Sequence, residues 1–430
     1  VAEQSDRLSV DDARILGLES EAIAGHTLKL VMLEPGAKPL DLEALRASVE
    51  ARLPVGSRGR DRVELGAEPR WVAEEAFEIS DHVRRREHTE GIDQHGAWAV
   101  AAELMSQRLD HRHALWEFDL IGPLADGREA IVCRIHHAMA DGISSVRFLR
   151  EVLWDESDEP QAKPRSSSNS SSAPAPTHPR AREALRLPGA IRRELGHRAG
   201  DTILDRRIGA ARELAFSAFP LAELKAIGAS RPGHVTVNDV FLAGVAGGLR
   251  RWLVHAGEQL PRLRAQIPVS LHHRDEGEAE LGNRDSFLNV ELPVSDPDPL
   301  SRLHSINAQT SERKSHGDAE ELYDLFHALS RFKHLDHAAQ HLAGGPREFS
   351  LSISNVPGPG CALSVAGRAV ENLFSVAEPA DRHALRASAI SCSGYVGIGL
   401  CTDPAAVAGV GELATAIDEA LAELREATKA

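Results

Sequence analysis

The sequence predicts an α/β protein in two parts, and three observations carry that expectation. The chain has 430 residues, more than one compact core organises. Segments with the two-residue period of strands alternate with segments of helical period in both halves. Between the halves lies DESDEPQAKPRSSSNSSSAPAPTHP (155–179), made of Ser, Pro and charge with almost nothing to bury. Such a composition reads as a disordered linker. The expected division is therefore 1–154, a linker over 155–179, and 180–430.

Each element follows from its own pattern. HTLKLVMLE (26–34) alternates and reads as a strand. DLEALRASVEARL (41–53) has helical spacing at Leu42, Leu45, Val49 and Leu53. AWAVAAELMSQRL (97–109) is a second helix. LWEFDLI (115–121) and EAIVCRIHH (129–137) read as strands joined through a Gly/Asp turn, and a helix should follow from about Ile143 to Trp154. Past the linker, 180–214 carries nine arginines against five acids. VTVNDVFLAGVAGGLRRWL (235–253) is a helix with Phe241, Val245, Leu249 and Trp252 as apolar positions. Strands follow at RLRAQIPVSL (262–271) and SFLNVELPV (286–294), with two helical stretches between Leu300 and Leu342. EFSLSISNV (348–356) and ALRASAISCSGYVGIGLC (384–401) add strands. Leu413, Ile417, Leu421 and Leu424 stripe a last helix.

Composition excludes some functions. A net charge of −15 argues against nucleic-acid binding, which needs a basic footprint, and against general attraction to anionic membranes. Cys133, Cys361, Cys392 and Cys401 form no C-x-x-C pair, so free thiols in a reducing compartment are expected. The first residues lack the charged-then-apolar pattern of a signal peptide. No run reaches the roughly 18–20 apolar residues of a spanning helix. The expected location is cytoplasmic, at most peripheral to a membrane.

The chemically densest stretch is CRIHHAMADGISS (133–145). Strand alternation puts Cys133, Ile135 and His137 on one face and Arg134 and His136 on the other. The two rings then point apart, which speaks against one shared metal ion. His137, on an apolar face at a strand end, suits a general base. Asp141 could cap the helix that follows. Gly142 could supply a positive φ or a close ligand approach. The plain alternative is two structural histidines and a capping Asp-Gly turn. GPGCAL and GIGLCT miss the last glycine of G-x-G-x-x-G, so a Rossmann nucleotide turn is unsupported. No G-x-S-x-G elbow occurs.

HHAMADG (136–142) resembles the H-H-x-x-x-D-G signature of the CoA-dependent acyltransferase superfamily. Within it, the chain is similar to the bacterial wax ester synthase/diacylglycerol acyltransferases over nearly its whole length. The segments that carry the likeness are LSVDDARILGLES (8–20), HALWEFDLI (113–121), VNDVFLA (237–243), PVSL…LGN (268–283) and SNVPGP (354–359), in that order. Ala114 departs from the proline usual there.

The resemblance implies two chloramphenicol-acetyltransferase-like α/β subdomains with mixed sheets and an active-site tunnel between them. It implies direct transfer of a fatty acyl group from acyl-CoA to a fatty alcohol or diacylglycerol. His137 would be the base, with His136 and Asp141 beside it. Gly142, Asn238, Asp239, Asn283, Asn355, Pro357 and Gly358 would bind substrate or support the site. Each has a plain alternative: Thr236 and Asp239 are spaced as a capping box, and NVPGP is a turn on composition alone. The basic 180–214 stretch would be a solvated helix face, or a contact for CoA phosphates or a lipid surface. No metal or cofactor is expected, acyl-CoA being a co-substrate. A peripheral membrane or lipid-droplet surface is the expected partner besides the substrates. Two other readings stay open: a condensation-type enzyme using carrier-protein thioesters, and a non-catalytic lipid-binding protein on the same fold.

Overall fold

The computed structural model describes residues 7–155, 202–270, 285–316 and 348–429. The expected linker after Asp155, most of the basic stretch, Asn283 and the helical region from 317 to Leu342 lie outside the described residues.

The first half runs α1 (Val10–Gly17), β1 (His26–Leu33), α2 (Leu42–Arg52), β2 (Asp61–Glu64), β3 (Arg70–Ala73), α3 (Ile79–His82), β4 (Val83–Arg85), α4 (Gln94–Ser106), β5 (Trp116–Ile121), β6 (Glu129–His136) and α5 (Gly142–Val152). The second runs β7 (Glu213–Pro220), α6 (Leu221–Ala229), α7 (Val237–His255), β8 (Leu263–Ser270), β9 (Asp285–Leu292), α8 (Pro299–His316), β10 (Leu351–Val356), β11 (Ser364–Val365), β12 (Arg368–Ala377), β13 (Leu385–Cys392), β14 (Tyr395–Thr402) and α9 (Val410–Ala427).

Two six-stranded mixed sheets frame the molecule, in the orders β11-β12-β1-β6-β5-β4 and β7-β14-β13-β10-β8-β9. The first is antiparallel except for β4 beside β5, and in the second β10 runs parallel to both β13 and β8.

Sheet membership does not follow chain order. β12, from the second half, lies antiparallel along β1 with Thr27 opposite Ala377 and so completes the first sheet. Asp155 is held there too: its carboxylate accepts from the N–H groups of Ala366 and Gly367 in the β11–β12 turn. The two sheets meet where β12 crosses β14. A β-carbon at Gly397 would sit 2.1 Å from Leu373 O, and one at Gly399 2.3 Å from Ser375 O. The glycines of GIGLC thus let two strand backbones touch, a role only glycine allows.

β1 and β6 are buried along their whole length on both faces. Leu28, Leu30, Met32, Ala130 and Val132 pack on α4 through Ala97, Ala101, Leu104 and Met105. Val31, Leu33, Ile131, Cys133 and Ile135 face Leu45 and Val49 of α2 and Leu149 and Val152 of α5. Each large side chain so buried contributes about 1.5–3 kcal/mol. Helices α7 and α9 cover the second sheet, with Leu249, Ile417 and Leu421 in one core. All four cysteines are free and buried. Among the described residues no helix is long and apolar enough to cross a membrane.

Candidate active site

β6 ends one residue earlier than its alternation suggests. His136 is its last residue, paired with His26 of β1, and His137 opens the turn that leads to α5. The backbone N–H of His137 donates to Gly25 O at 2.9 Å. The starts of β1 and β13 and the ends of β6 and β12 therefore gather at one place.

His136 is fully buried and structurally committed. Its Nδ1 accepts the N–H of Ala138 at 3.0 Å, which puts the ring proton on Nε2. Glu19 Oε1 lies 2.9 Å from that Nε2 and 2.9 Å from Nε2 of His111. Despite the burial of Glu19, its two histidine partners hold the carboxyl down at about 2. The ring also needs Gly25: a β-carbon there would lie 2.3 Å from His136 Nε2, and Gly25 adopts φ +82°. His136 accordingly fastens the strand end.

His137 keeps part of its surface open. Desolvation of the rest pushes its imidazole down to about 3, and the Arg386 guanidinium, His136 and Lys29 add to the shift. It is a neutral ring at any working pH. Lys29, opposite Cys133 in the β1–β6 ladder, is 1% exposed, and burial lowers its ammonium to about 8. Arg386 reaches the site from β13, at the level of Ser352 on β10, and also donates to Glu378 O at 3.4 Å. Glu378, just past β12, accepts the N–H groups of Ala24 and Gly25 at 2.9 and 2.7 Å and so locks the entry to β1.

Asp141 is the N-cap of α5 and accepts from Ser144 N at 2.6 Å. It is 4% exposed. Gly142 has no positive φ, which removes the first of the two roles its position offered. Its role is proximity: a β-carbon would lie 3.2 Å from Val356 Cγ2 at the end of β10. The signature of the first half thus abuts the SNVPGP segment of the second.

That segment is joined in turn to the start of α7, where Asn355 Nδ2 donates to Asn238 Oδ1 at 3.4 Å. Gly358 lies against β13, its N–H donating to Ser391 Oγ at 3.2 Å, and Pro357 stands between Asn355 and this contact. Asp239 is fully buried within a capping box with Thr236 and also accepts from Asn307 and Thr310. Its observed bonds are structural. Arg212, at the end of the basic stretch, is buried against Glu378 and the carbonyls of Gly209 and Ala22, so it does not form an open phosphate contact.

Sequence reasoning missed Glu19, His26, Lys29, Glu378 and Arg386. Lys29 carried a readable signal, a lysine within an otherwise apolar strand. A groove of about 850 Å³ between α4, β7 and α9 is lined by Trp98, Phe216 and Asp418 and includes none of residues 136–142. It is separate from the site.

Two α/β halves, with a neutral histidine and a capping aspartate where their motifs meet, define an acyltransferase of the H-H-x-x-x-D-G kind. The chain belongs to the wax ester synthase/diacylglycerol acyltransferase family: residues 8–196 match its catalytic domain and 281–425 its C-terminal domain. A probable diacylglycerol O-acyltransferase of Mycobacterium tuberculosis is 30% identical over 413 residues, covering 89% of this chain and 88% of that protein. Among solved structures, the wax ester synthase/diacylglycerol acyltransferase from Marinobacter aquaeolei VT8 superposes with a TM-score of 0.72 at 21% identity, covering 99% of this chain and all of the other. A starter condensation domain of rhizomide synthetase, solved with C8-CoA and Leu-SNAC, has a TM-score of 0.62 at 14% identity, covering 100% and 96%. At such identities these likenesses describe the fold.

Proposed function

We propose that the chain moves a fatty acyl group from acyl-CoA to the hydroxyl of diacylglycerol or a fatty alcohol, making triacylglycerol or wax ester. The observation that carries this reading is His137: a neutral, partly open imidazole at the junction of the two halves. The acceptor O–H gives its proton to His137 as its oxygen attacks the thioester carbonyl. The tetrahedral intermediate then loses the CoA thiolate, which takes the proton from the imidazolium. No acyl-enzyme forms, and every atom is accounted for.

A base with so low a pKa needs its transient positive charge offset. We assign that role to Asp141, whose carboxylate lies four residues on in the same turn. The family resemblance implies that this aspartate pairs with an arginine, and we place Arg386 in that role because its guanidinium acts on the neighbouring His137. His136 positions the strand end. Gly142, Asn238, Asn355, Pro357 and Gly358 border the acyl and acceptor paths, Asp239 supports them, and Asn283 is assigned there from the motif alone.

The two catalytic halves are 1–154 and 180–430, joined through 155–179, with β11 and β12 of the second half completing the first sheet. Because both substrates are lipids, the protein works at a lipid surface, on the cytoplasmic face of a membrane or on a droplet. The donor test offers labelled palmitoyl-CoA and palmitoyl-carrier protein in parallel. Neutral lipid from the CoA ester supports the reading. Product from the carrier thioester alone selects a condensation-type enzyme, and thioester binding with no product selects a lipid-binding protein.

A further inference from the structure

A second cluster of ligating side chains lies apart from the signature. Glu74 follows β3, His82 closes α3, and His113 precedes β5. One ligand atom from each falls within 4.8 Å of the others.

His82 is the informative member. Its side chain is 1% exposed and its ring is clamped between Phe77 and Trp116, with centroids 4.8 and 4.5 Å away. Nδ1 lies 2.8 Å from the Trp116 carbonyl oxygen. A carbonyl only accepts, so Nδ1 carries a proton, and in the tautomer where that is the ring's single proton Nε2 presents a lone pair. That Nε2 is buried with no hydrogen-bond partner and points toward Glu74 Oε2 at 3.8 Å. A lone pair facing a carboxylate is unfavourable unless something positive stands between them.

The other two residues complete the donor set. His113 Nδ1 lies 2.7 Å from Glu74 Oε1. Glu74 Oε2 also accepts the N–H of Ala114 at 2.8 Å, which fixes the carboxylate as outer hydrogen bonds fix metal ligands. Ligand atoms around a tetrahedral zinc ion are about 3.3 Å apart, given bonds of about 2.0–2.1 Å. His113 Nδ1 lies 2.7 Å from Glu74 Oε1 and His82 Nε2 3.8 Å from Glu74 Oε2, so a small shift of these side chains brings one carboxylate oxygen to that spacing from both rings. His113 is 35% exposed, leaving a side open for a water ligand. Two imidazoles and one carboxylate suit Zn²⁺ better than Mg²⁺ or Ca²⁺.

We propose that Glu74, His82 and His113 bind one divalent transition-metal ion, Zn²⁺ by the character of its donors, which clips β3 and α3 to the entry of β5. In the metal-free site His113 Nδ1 donates to Glu74 Oε1; on binding, Nδ1 gives up that proton to coordinate the ion and the neutral ring carries its proton on Nε2. The clip bears on the acyl-transfer site only by position: His136 N–H donates to Leu115 O at 3.0 Å, two residues beyond His113.

The test uses the untagged full-length chain, stripped with a chelator and dialysed. Co²⁺ is titrated in and followed by its visible absorption, and Zn²⁺ retention is measured by elemental analysis. The chain has 21 histidines, so the comparison with variants decides, not total binding. Wild type should hold one tight ion per chain and gain thermal stability from it. His82→Gln and His113→Gln should weaken binding by about 100-fold and lose the gain. Should His82→Gln fail to fold, the partly exposed His113→Gln decides alone. Equal binding by wild type and His113→Gln, or no stabilisation of wild type by Zn²⁺, overturns the proposal.

Discussion

Gly142 and Val356 touch across the two halves of the protein, and a β-carbon on the glycine would lie 3.2 Å from the valine Cγ2. This contact sets the H-H-x-x-x-D-G turn against the SNVPGP segment. Gly142→Ala adds a methyl group that the neighbour must yield a few tenths of an ångström to admit. The substitution also favours a helical start, so the two effects on stability nearly cancel. The expected outcome is a melting temperature within a few degrees of wild type with acyl transfer reduced about 3–10-fold. Unchanged transfer would show that the approach of the two segments does not set the site.

Asp141 combines a cap with a charge, and two variants separate them. Asparagine caps as well as aspartate, so Asp141→Asn should keep stability within about 0.5 kcal/mol while lowering kcat. Asp141→Ala should cost a further ~1 kcal/mol by denaturation, with Ser144 N–H losing its acceptor. Full activity in Asp141→Asn would confine the residue to capping.

The pH dependence of His137 follows from its depressed pKa. A histidine at about 3 is neutral from alkaline pH down through the range where an ordinary imidazole, near 6.5, would protonate. kcat/KM should therefore stay flat from about pH 8 to about pH 5 wherever the chain remains folded. A falling limb near 6.5 would mean that His137 titrates as an open ring.

Glu19 makes the opposite kind of prediction. Its folded pKa of about 2 lies below the ordinary carboxyl value, so its stabilisation is present above about 4.5 and is lost as pH falls through 2. His111, raised by the same contact, contributes below about 6.5 and loses that contribution as pH rises through its folded value. Glu19→Gln should therefore destabilise more at pH 6 than at pH 9, by about 1 kcal/mol after allowing for its partial exposure. Equal losses at both values would remove the coupling.

Asp239 accepts from Thr236, Asn307 and Thr310 and is fully buried. Asp239→Ala should cost about 2–4 kcal/mol of unfolding free energy, because several buried donors lose their acceptor. Normal stability with lost activity would move it from support to chemistry.

What the sequence made legible was local. Periodicity found α2, α4, α7 and the strands around the signature, and spacing found the Thr236–Asp239 capping box. Alternation separated His137 from His136 and made it the base candidate on an apolar face, but β6 ends before His137 and the turn, not the strand, sets that ring's direction. The pairing of β12 with β1 was not legible, since sheet membership depends on partners far along the chain. Glu19, Glu378 and Arg386 were missed for the same reason: each reaches the site from a distant element. Lys29 was hidden because both faces of β1 are covered.

The measurement that bears most directly on His137 as the base supplies labelled palmitoyl-CoA with diacylglycerol or hexadecanol to wild type and to folded His137→Ala. Wild type should form triacylglycerol or wax ester, and the variant should lose at least about 100-fold in rate with its melting temperature preserved. Full transfer by the folded variant would contradict the account.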